Sequence, residues 1–449
     1  MGFVGRSYAT GVAIGDINQD GWPDAFVGAL GENEIWINQG DGTFCEHRGP
    51  PGNEPRYTTA VAVADLDGDA IADLIEGNYT ETTELFDRRK SVHAPPSRFQ
   101  PAGDRWYHQT PTGALVAEPL ESPETPASYA LGIVVGNFDR DPGNEILIGN
   151  DGRPNRWWVR TVDPGPGADG KGSAAWNDIA AAIGIGVDYA GAATASMGIA
   201  TADFDGNARM DFLITNFWDQ SSSLFLQQPG GRFVDRSGRW NVRDATTMLL
   251  GFGCQSLDID LDGWPDTAAV NGHVVNAASQ GYPFRMPPTL FRNRRIEFEA
   301  VGPRAGGYWQ RPTLGRTMAR LDWNRDGRPD LVINHLDAPA ALLENQTDTK
   351  FHWIGIDLVG QRCERDAIGA KVVVTSPDRV RVGWRAAGDG YMATNAPTLH
   401  FGIGSETEVE VMVVWPDGTQ SPTRVLSADA CYRWVQDQTP FELSRPSPH

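Results

Sequence analysis

The sequence predicts an all-β protein, a closed ring of repeated blades with a smaller β domain, and three observations carry that prediction. The nine-residue stretch Asp258-Ile259-Asp260-Leu261-Asp262-Gly263-Trp264-Pro265-Asp266 recurs in recognisable form five more times. Its copies start at 16, 65, 137, 203, 258 and 322, a period that suits a blade of about four short strands, and one blade cannot bury both of its faces alone. Gly 51, Pro 31 and Trp 15 among 449 residues describe turn-rich β structure with aromatic packing, and the flanks of the repeated stretch have no helical period.

Each copy reads as a metal loop. Oxygen donors at positions one, three, five and nine can converge on one hard cation, with a backbone carbonyl and waters completing six to eight ligands. Loop one offers Asp16, Asn18, Asp20 and Asp24; loop two Asp65, Asp67, Asp69 and Asp73; loop three Asn137, Asp139, Asp141 and Glu145. Loop four offers Asp203, Asp205, Asn207 and Asp211; loop five Asp258, Asp260, Asp262 and Asp266; loop six Asp322, Asn324, Asp326 and Asp330. Calcium fits best, because magnesium usually keeps several waters and takes only one or two carboxylates. An EF-hand would need a bidentate Glu at position twelve, where loops one, five and six have Val27, Ala269 and Ile333. An acidic turn without metal would hold like charges close together, which is unfavourable.

Position six needs a sharp, positive-φ turn, which Gly21, Gly263 and Gly327 provide. Loops two and four carry their glycines, Gly68 and Gly206, at position four instead. With Ala70 at position six, loop two is expected to be differently shaped or weaker, since a left-handed alanine costs about 1 kcal/mol. In the first unit, Val12-Ala13-Ile14 leads into loop one, and Ile35-Trp36-Ile37-Asn38 and Gly42-Thr43-Phe44-Cys45 read as further strands. Seven prolines within residues 91–128 mark an insertion between repeats.

The net charge of -20 and pI near 4.8 argue against a nucleic-acid partner and against an anionic membrane surface. Twenty of the acidic residues are loop donors, so six calcium ions would bring the formal charge to -8. No run is long enough for a transmembrane helix, and residues 1–15 lack the basic start and apolar stretch of a secretory signal peptide. Cys45, Cys254, Cys363 and Cys431 contain no CxxC pair; Cys363 and Cys431 are either a disulfide or buried thiols.

Asn78, Asn150, Asn216 and Asn271 each stand five residues after the last donor of their loop, at the far end of the departing strand. Asparagines there ordinarily satisfy turn backbone. Their neighbours Asp151, Arg153, Arg156, Trp218, His273 and His335, with Tyr308, Trp309 and Arg316, are therefore the candidates for a ligand or catalytic site on the ring face opposite the acidic loops. Catalytic motifs are otherwise wanting. Gly165 to Lys171 resembles a phosphate-binding loop but is followed by Gly172 in place of Ser or Thr, and Thr194-Ala195-Ser196-Met197-Gly198 approaches a nucleophile elbow without a following helix. His400, in an apolar strand, reads as a structural residue.

The repeated loop resembles the FG-GAP/VCBS repeats of integrin α-like propellers. Arg365-Asp366-Ala367-Ile368-Gly369-Ala370-Lys371-Val372, Leu399-His400-Phe401-Gly402-Ile403-Gly404 and Val413-Val414-Trp415-Pro416-Asp417-Gly418 look like the signature of an ASPIC/UnbV domain. The chain thus resembles the cartilage acidic protein and UnbV family, over residues 1–345 as propeller and 346–449 as a small β domain. That resemblance implies a calcium-bearing propeller, generally seven-bladed and often secreted; with six loops visible, a seventh blade would be degenerate or completed by terminal strands. It implies no settled activity. The expected role is an extracellular or periplasmic binding module with a protein, glycan or small-molecule ligand. The competing expectation is a biosynthetic enzyme that cyclises or alkylates a hydrophobic precursor, using Arg316, His273 and His335, with Asp151, Arg153, Trp218 and Trp309 as ligand contacts.

Overall fold

A computed structural model describes residues 7–444 apart from 48, 53, 82–97, 111–112, 140–141, 164–172 and 277. Strands are numbered in chain order. β1 (Tyr8–Gly15), β2 (Asp24–Gly31), β3 (Glu34–Asn38) and β4 (Phe44–His47) form the first antiparallel blade. β5 (Arg56–Ala64), β6 (Asp73–Thr80), β7 (Arg105–Gln109) and β8 (Leu115–Pro119) form the second, joined to the first where Leu30 pairs with Tyr57. The described part of the proline-rich stretch at 91–128, expected as an insertion, thus supplies the two outer strands of a blade. Its described prolines, Pro101, Pro119, Pro123 and Pro126, fall outside the strands except Pro119 at the end of β8, where a missing N–H is tolerated.

The third blade is β9 (Ala130–Gly136), β10 (Glu145–Asn150), β11 (Arg156–Asp163) and β12 (Ser173–Asp178); the fourth is β13 (Ile199–Ala202), β14 (Asp211–Ile214), β15 (Ser223–Gln227) and β16 (Phe233–Asp235). The fifth is β17 (Gly251–Leu257), β18 (Asp266–Asn271), β19 (Thr289–Asn293) and β20 (Phe298–Ala300), and the sixth has three strands, β21 (Gly315–Leu321), β22 (Asp330–His335) and β23 (Ala341–Leu343). Every acidic loop joins the first and second strands of its blade, so all six lie on one face of the ring. Blades stack through aromatic layers such as Phe138, Trp157 and Phe212, whose rings meet edge to face at 5.4–5.7 Å. First strands approach each other too closely for side chains at some points. A Cβ on Gly132 would stand 2.1 Å from the Met197 carbonyl oxygen, and one on Gly198 2.2 Å from that of Phe252.

The C-terminal part is a pair of four-stranded sheets. β24 (His352–Val359), β27 (Leu399–Gly404), β30 (Ala430–Val435) and β31 (Phe441–Glu442) make one, with β24 parallel to β30; β25 (Lys371–Thr375), β26 (Val380–Trp384), β28 (Glu408–Val414) and β29 (Arg424–Ser427) make the other. β28 alternates exposed Glu408 and Glu410 with buried Val409, Val411 and Val413, which meet Ile354, Ile356, Phe401 and Trp434 between the sheets.

Residues 385–396, between β26 and β27, leave this domain and run into the axis of the ring. Ala387 exchanges both backbone hydrogen bonds with Val135 of β9 at 2.9 Å, and Gly390 does the same with Ile199 of β13 at 2.7 and 2.9 Å. Asn395 Oδ1 accepts from Arg320 N of β21 (2.8 Å) while its Nδ2 donates to Gln255 Oε1 of β17 (2.9 Å). Thr394 Oγ1 donates to Val12 O of β1 (2.9 Å) and accepts from Ile14 N (3.2 Å). Residues 394–396 therefore stand between the first and sixth blades and bond to both. The small domain itself rests on the acidic-loop face: Gly404 N donates to Leu261 O, Asp16 N to Asp366 Oδ2, and the Arg379 guanidinium lies 3.7 Å over Trp264.

Among the described residues all four cysteines are unpaired, so the Cys363–Cys431 disulfide is absent; Cys363 lies against Gln436 Oε1 at 3.6 Å. Replacing Asn395 by Ala removes the bonds to both β17 and β21, and should lower the unfolding free energy in urea by about 2–3 kcal/mol with an unchanged m-value. A loss below about 0.5 kcal/mol would mean that the threaded segment does not hold the blades together.

Candidate functional site

The acidic loops share one scaffold. The position-nine carboxylate accepts the amide of position two and, from its other oxygen, the amide at the end of the third strand. Asp266 takes Ile259 N (2.9 Å) and Asn293 N (2.7 Å), Asp211 takes Phe204 N (2.9 Å) and Gln227 N (2.8 Å), and Asp330 takes Trp323 N (2.8 Å) and Asn345 N (2.7 Å). Glu145 of loop three accepts Phe138 N in the same way (2.7 Å), while Asp141 lies outside the described residues. Position one closes the turn: Asp258 Oδ2 accepts Gly263 N (2.7 Å) and Asp322 Oδ2 accepts Gly327 N (2.9 Å).

Loops two and four keep this shape, contrary to the expectation for loops lacking glycine at position six. Ala70 (φ 69°) and Ala208 (φ 62°) adopt the left-handed conformation there, and Asp65 Oδ2 and Asp203 Oδ2 still accept their amides at 2.9 Å. Position four is left-handed as well, in Gly68 (82°) and Gly206 (74°) as in Gln19 (60°), Leu261 (61°) and Arg325 (58°). These five loops thus have two strained positions and one glycine, which can relieve either.

The carboxylates of Asp65, Asp67 and Asp73, of Asp203, Asp205 and Asp211, and of Asp258, Asp260 and Asp262 bring one oxygen each within 4.8 Å of the others in their group. Burial, followed by the charge of neighbouring loop carboxylates, pushes Asp73 up to about 8, and burial pushes Asp65 and Asp203 up to about 6. Clustered oxygens whose charged forms are disfavoured fit a hard divalent cation, which would restore them to carboxylates. Loop five, the most regular in sequence, differs: Arg292 of β19 pairs with Asp260 and, at 3.4 Å, with Asp262, so part of its charge is already countered. Arg328 likewise pairs with Asp326 in loop six.

On the opposite face the four asparagines fasten turns, as their type suggests. Their Nδ2 groups donate to Gly103 O (Asn78, 2.8 Å), Pro154 O (Asn150, 3.0 Å), Ser221 O (Asn216, 2.7 Å) and Pro287 O (Asn271, 2.7 Å). Arg316 is drawn inward, donating from Nη1 to Gly315 O (2.9 Å) and Gly272 O (3.3 Å) and from Nη2 to His273 O (3.1 Å), with its Cζ 4.0 Å over the Phe252 ring. His273 is buried against Phe217 and Tyr282, its Nδ1 accepts Val275 N, and burial lowers its pKa, which keeps the imidazole neutral. Trp218 meets the Tyr282 ring at 5.7 Å, and Asp151 accepts the Tyr79 hydroxyl at 2.6 Å.

The other candidates stand apart. His335 is consumed by Tyr308 Oη (2.8 Å) and Pro339 O (2.9 Å), Trp309 packs beside Leu290 and Leu343 in the groove between blades five and six, and Arg153 borders a cleft with Phe99 and Tyr129. Arg156, also a candidate, is paired with Asp178 at 2.7 Å. Missed from sequence was Tyr391, carried into the axis by the threaded segment and 5.5 Å from Phe252. Its only signal was Gly388-Asp389-Gly390 just before it, a kinked approach inside a β domain. His400 is half-buried and stacked on Trp353 at 5.2 Å, a structural place. Ser196 Oγ contacts Asn216 Oδ1 (3.4 Å) with no base beside it, and the stretch from Gly165 to Lys171 is outside the described residues.

A propeller of FG-GAP-like repeats joined to an ASPIC and UnbV segment is the class these features define: residues 6–75 match the FG-GAP-like repeat and residues 360–440 match ASPIC and UnbV. The chain is similar to cartilage acidic protein 1 of Xenopus tropicalis, 24% identical over 296 residues, and to that of Homo sapiens, 23% identical over 310 residues. These alignments take in 64% and 66% of this chain and 42% of each relative, so the chain spans less than half the length of the relatives it matches. Solved structures with similar folds include an Agrocybe aegerita lectin that recognises non-reducing terminal N-acetylglucosamine (TM-score 0.42, 13% identity, 75% of this chain and 81% of that one). The rhamnogalacturonan lyase YesW is another (TM-score 0.38, 12% identity, 96% of this chain and 73% of that one).

Because Asp65, Asp73 and Asp203 have folded-state values above the ordinary carboxylate value near 4, their contribution to stability is full below about pH 4 and lost as pH rises through 6 to 8. The metal-chelated protein should therefore melt at progressively lower temperature from pH 5 to pH 8, and saturating calcium should remove most of that slope. Parallel slopes with and without calcium would show that no ion reaches these carboxylates. Arg292→Gln should destabilise the chelated protein and increase the calcium bound at loop five, measured by isothermal titration calorimetry against the unmodified chain.

Proposed function

We propose that the protein is a calcium-binding propeller that works outside the cytoplasm as an interaction module, engaging a protein, glycan or small ligand on the ring face opposite the acidic loops. The observation that carries this reading is where exposed apolar side chains gather. The small domain covers much of the loop face, where Trp22 and Trp323 stay exposed in loops one and six, whereas Tyr8 (69% exposed), Met248 (59%), Leu336 (57%), Val274 and Tyr282 gather at the strand ends and links of the other face. Exposed apolar residues grouped on the loop-rich face of a rigid ring are what a partner surface supplies.

Six repeated acidic loops, three of which bring carboxylate oxygens within 4.8 Å of one another, support calcium as the ion, although loops five and six already hold arginines. The compartment is supported by calcium supply, since simple extracellular modules bind with dissociation constants on the order of 10⁻⁴ to 10⁻³ M, which the cytosol does not saturate. The competing enzyme reading loses Trp309 and His335 from its centre and keeps Arg316 and a neutral His273.

Elemental analysis of the purified protein should find several equivalents of calcium, and chelation should lower the melting temperature by 10 °C or more, an order of magnitude consistent with saturable sites on the folded state alone. No bound metal and no shift would sink the calcium part. For the face, glycan and extracellular-protein arrays should give ligands for the unmodified chain that a Met248→Glu, Tyr282→Glu double variant loses at unchanged calcium content. Retained binding by that variant would move the partner surface elsewhere.

A further inference from the structure

Arg316 is a cation without an acid partner among the described residues. Its hydrogen bonds all go to the carbonyls of Gly315, Gly272 and His273, and its flat face lies on Phe252. Several other arginines here sit against carboxylates, among them Arg156 on Asp178 and Arg433 on Asp357, each at 2.7 Å, and Arg285, on the same face as Arg316, on Asp337. Taking a guanidinium out of water is costly unless an anion accompanies it, and burial brings the Arg316 pKa down to about 10. Carbonyl acceptors use three of its five N–H donors, which leaves Nε–H and one Nη2–H, the number that the two oxygens of a carboxylate take.

The surroundings supply the rest of a ligand site. Phe252, Met197, Leu250, Met286 and Tyr391 form one apolar cluster, against which the partly exposed Leu249, Phe217 and Trp218 pack. Met248, more than half exposed, continues that surface outward. His273 is neutral and brings no second charge.

We propose that Arg316 anchors the carboxylate of an amphipathic organic acid whose apolar body lies over Leu249, Trp218 and Met248. The proposal rests on the reading that this face binds partners and names the chemical class of one of them. It also makes the site composite, because Tyr391 reaches the cluster from the small domain.

Decanoate and 1-decanol, which share a chain and differ in the charged head, are the probes, titrated against calcium-loaded full-length protein by calorimetry at fixed salt, with inorganic phosphate as a head-only control. Decanoate should bind at least about tenfold tighter than decanol, a typical worth for a charge-assisted pair. Arg316→Met should abolish that preference, Arg316→Lys should keep part of it, and Trp218→Ala should weaken both ligands alike. Equal binding of decanoate and decanol overturns the carboxylate anchor while leaving the face as a binding surface, and so does a preference that survives Arg316→Met. Phosphate binding as tightly as decanoate overturns the apolar half. Binding of neither amphiphile overturns the proposal altogether, while the arrays with the Met248→Glu, Tyr282→Glu variant judge the face for larger partners independently. If Arg316→Met fails to fold, the preference in the unmodified chain decides: its absence overturns the anchor, and its reduction without loss in Arg316→Lys at unchanged melting temperature supports it.

Discussion

The passage of residues 385–396 through the ring axis is the constraint on which the rest of the molecule depends. The first strand of a propeller blade has a neighbour on one side only, and its inner edge offers backbone donors and acceptors that must find partners. Here the threaded segment meets that need at Val135 and Ile199 by backbone and at Val12, Gln255 and Arg320 by the side chains of Thr394 and Asn395. Two domains that would otherwise touch face to face are thereby made one structure. Asp389 shows how closely the segment is held, since its carboxylate accepts Thr201 N at 3.2 Å in a fully buried setting close to Arg320.

The same passage divides the ring's two faces by task. One carries the acidic loops and the small domain, with Asp366, Arg365 and Arg379 reaching into loops one, four and five. Charge on that side is met by charge from the small domain and by arginines within the blades, and the proposed calcium would meet it where these are lacking. The other face has little charge at its centre and much aromatic surface, with Tyr57, Tyr79 and Tyr129 in edge and tilted contacts at 5.5–5.7 Å on one side of the axis. Asp151, bonded to Tyr79, and Arg316, stacked on Phe252, are charges set into that aromatic surface.

Local features were legible in the sequence and distant ones were not. The repeated donors, their spacing, and the asparagines that fasten turns are short-range patterns, and the structure puts each at the end of the strand the pattern named. Ala70 was misread because glycine was sought at position six alone, whereas the loop has two left-handed positions and Gly68 relieves the other. The outer strands of the second blade were hidden by prolines that sit in the links between strands. Trp309 and His335 were grouped with Arg316 by nearness in sequence, but β21 and β22 turn them away into a groove and a local turn. Beyond Gly388-Asp389-Gly390 nothing local announced the threaded segment, whose partners lie from 75 to 382 residues away.

That distance has a consequence for how the chain is made. The bond from Thr394 to Val12 spans 382 residues. A ribosome adding roughly 5–20 residues each second would therefore leave the first blade waiting on the order of half a minute for the segment that completes its neighbourhood. During that interval the blades exist as an open arc with bare inner edges, the kind of species that pairs with other nascent chains. Those edges stay bare until residues 385–396 emerge, and the segment that joins the two domains is therefore also the one that closes the arc to other chains.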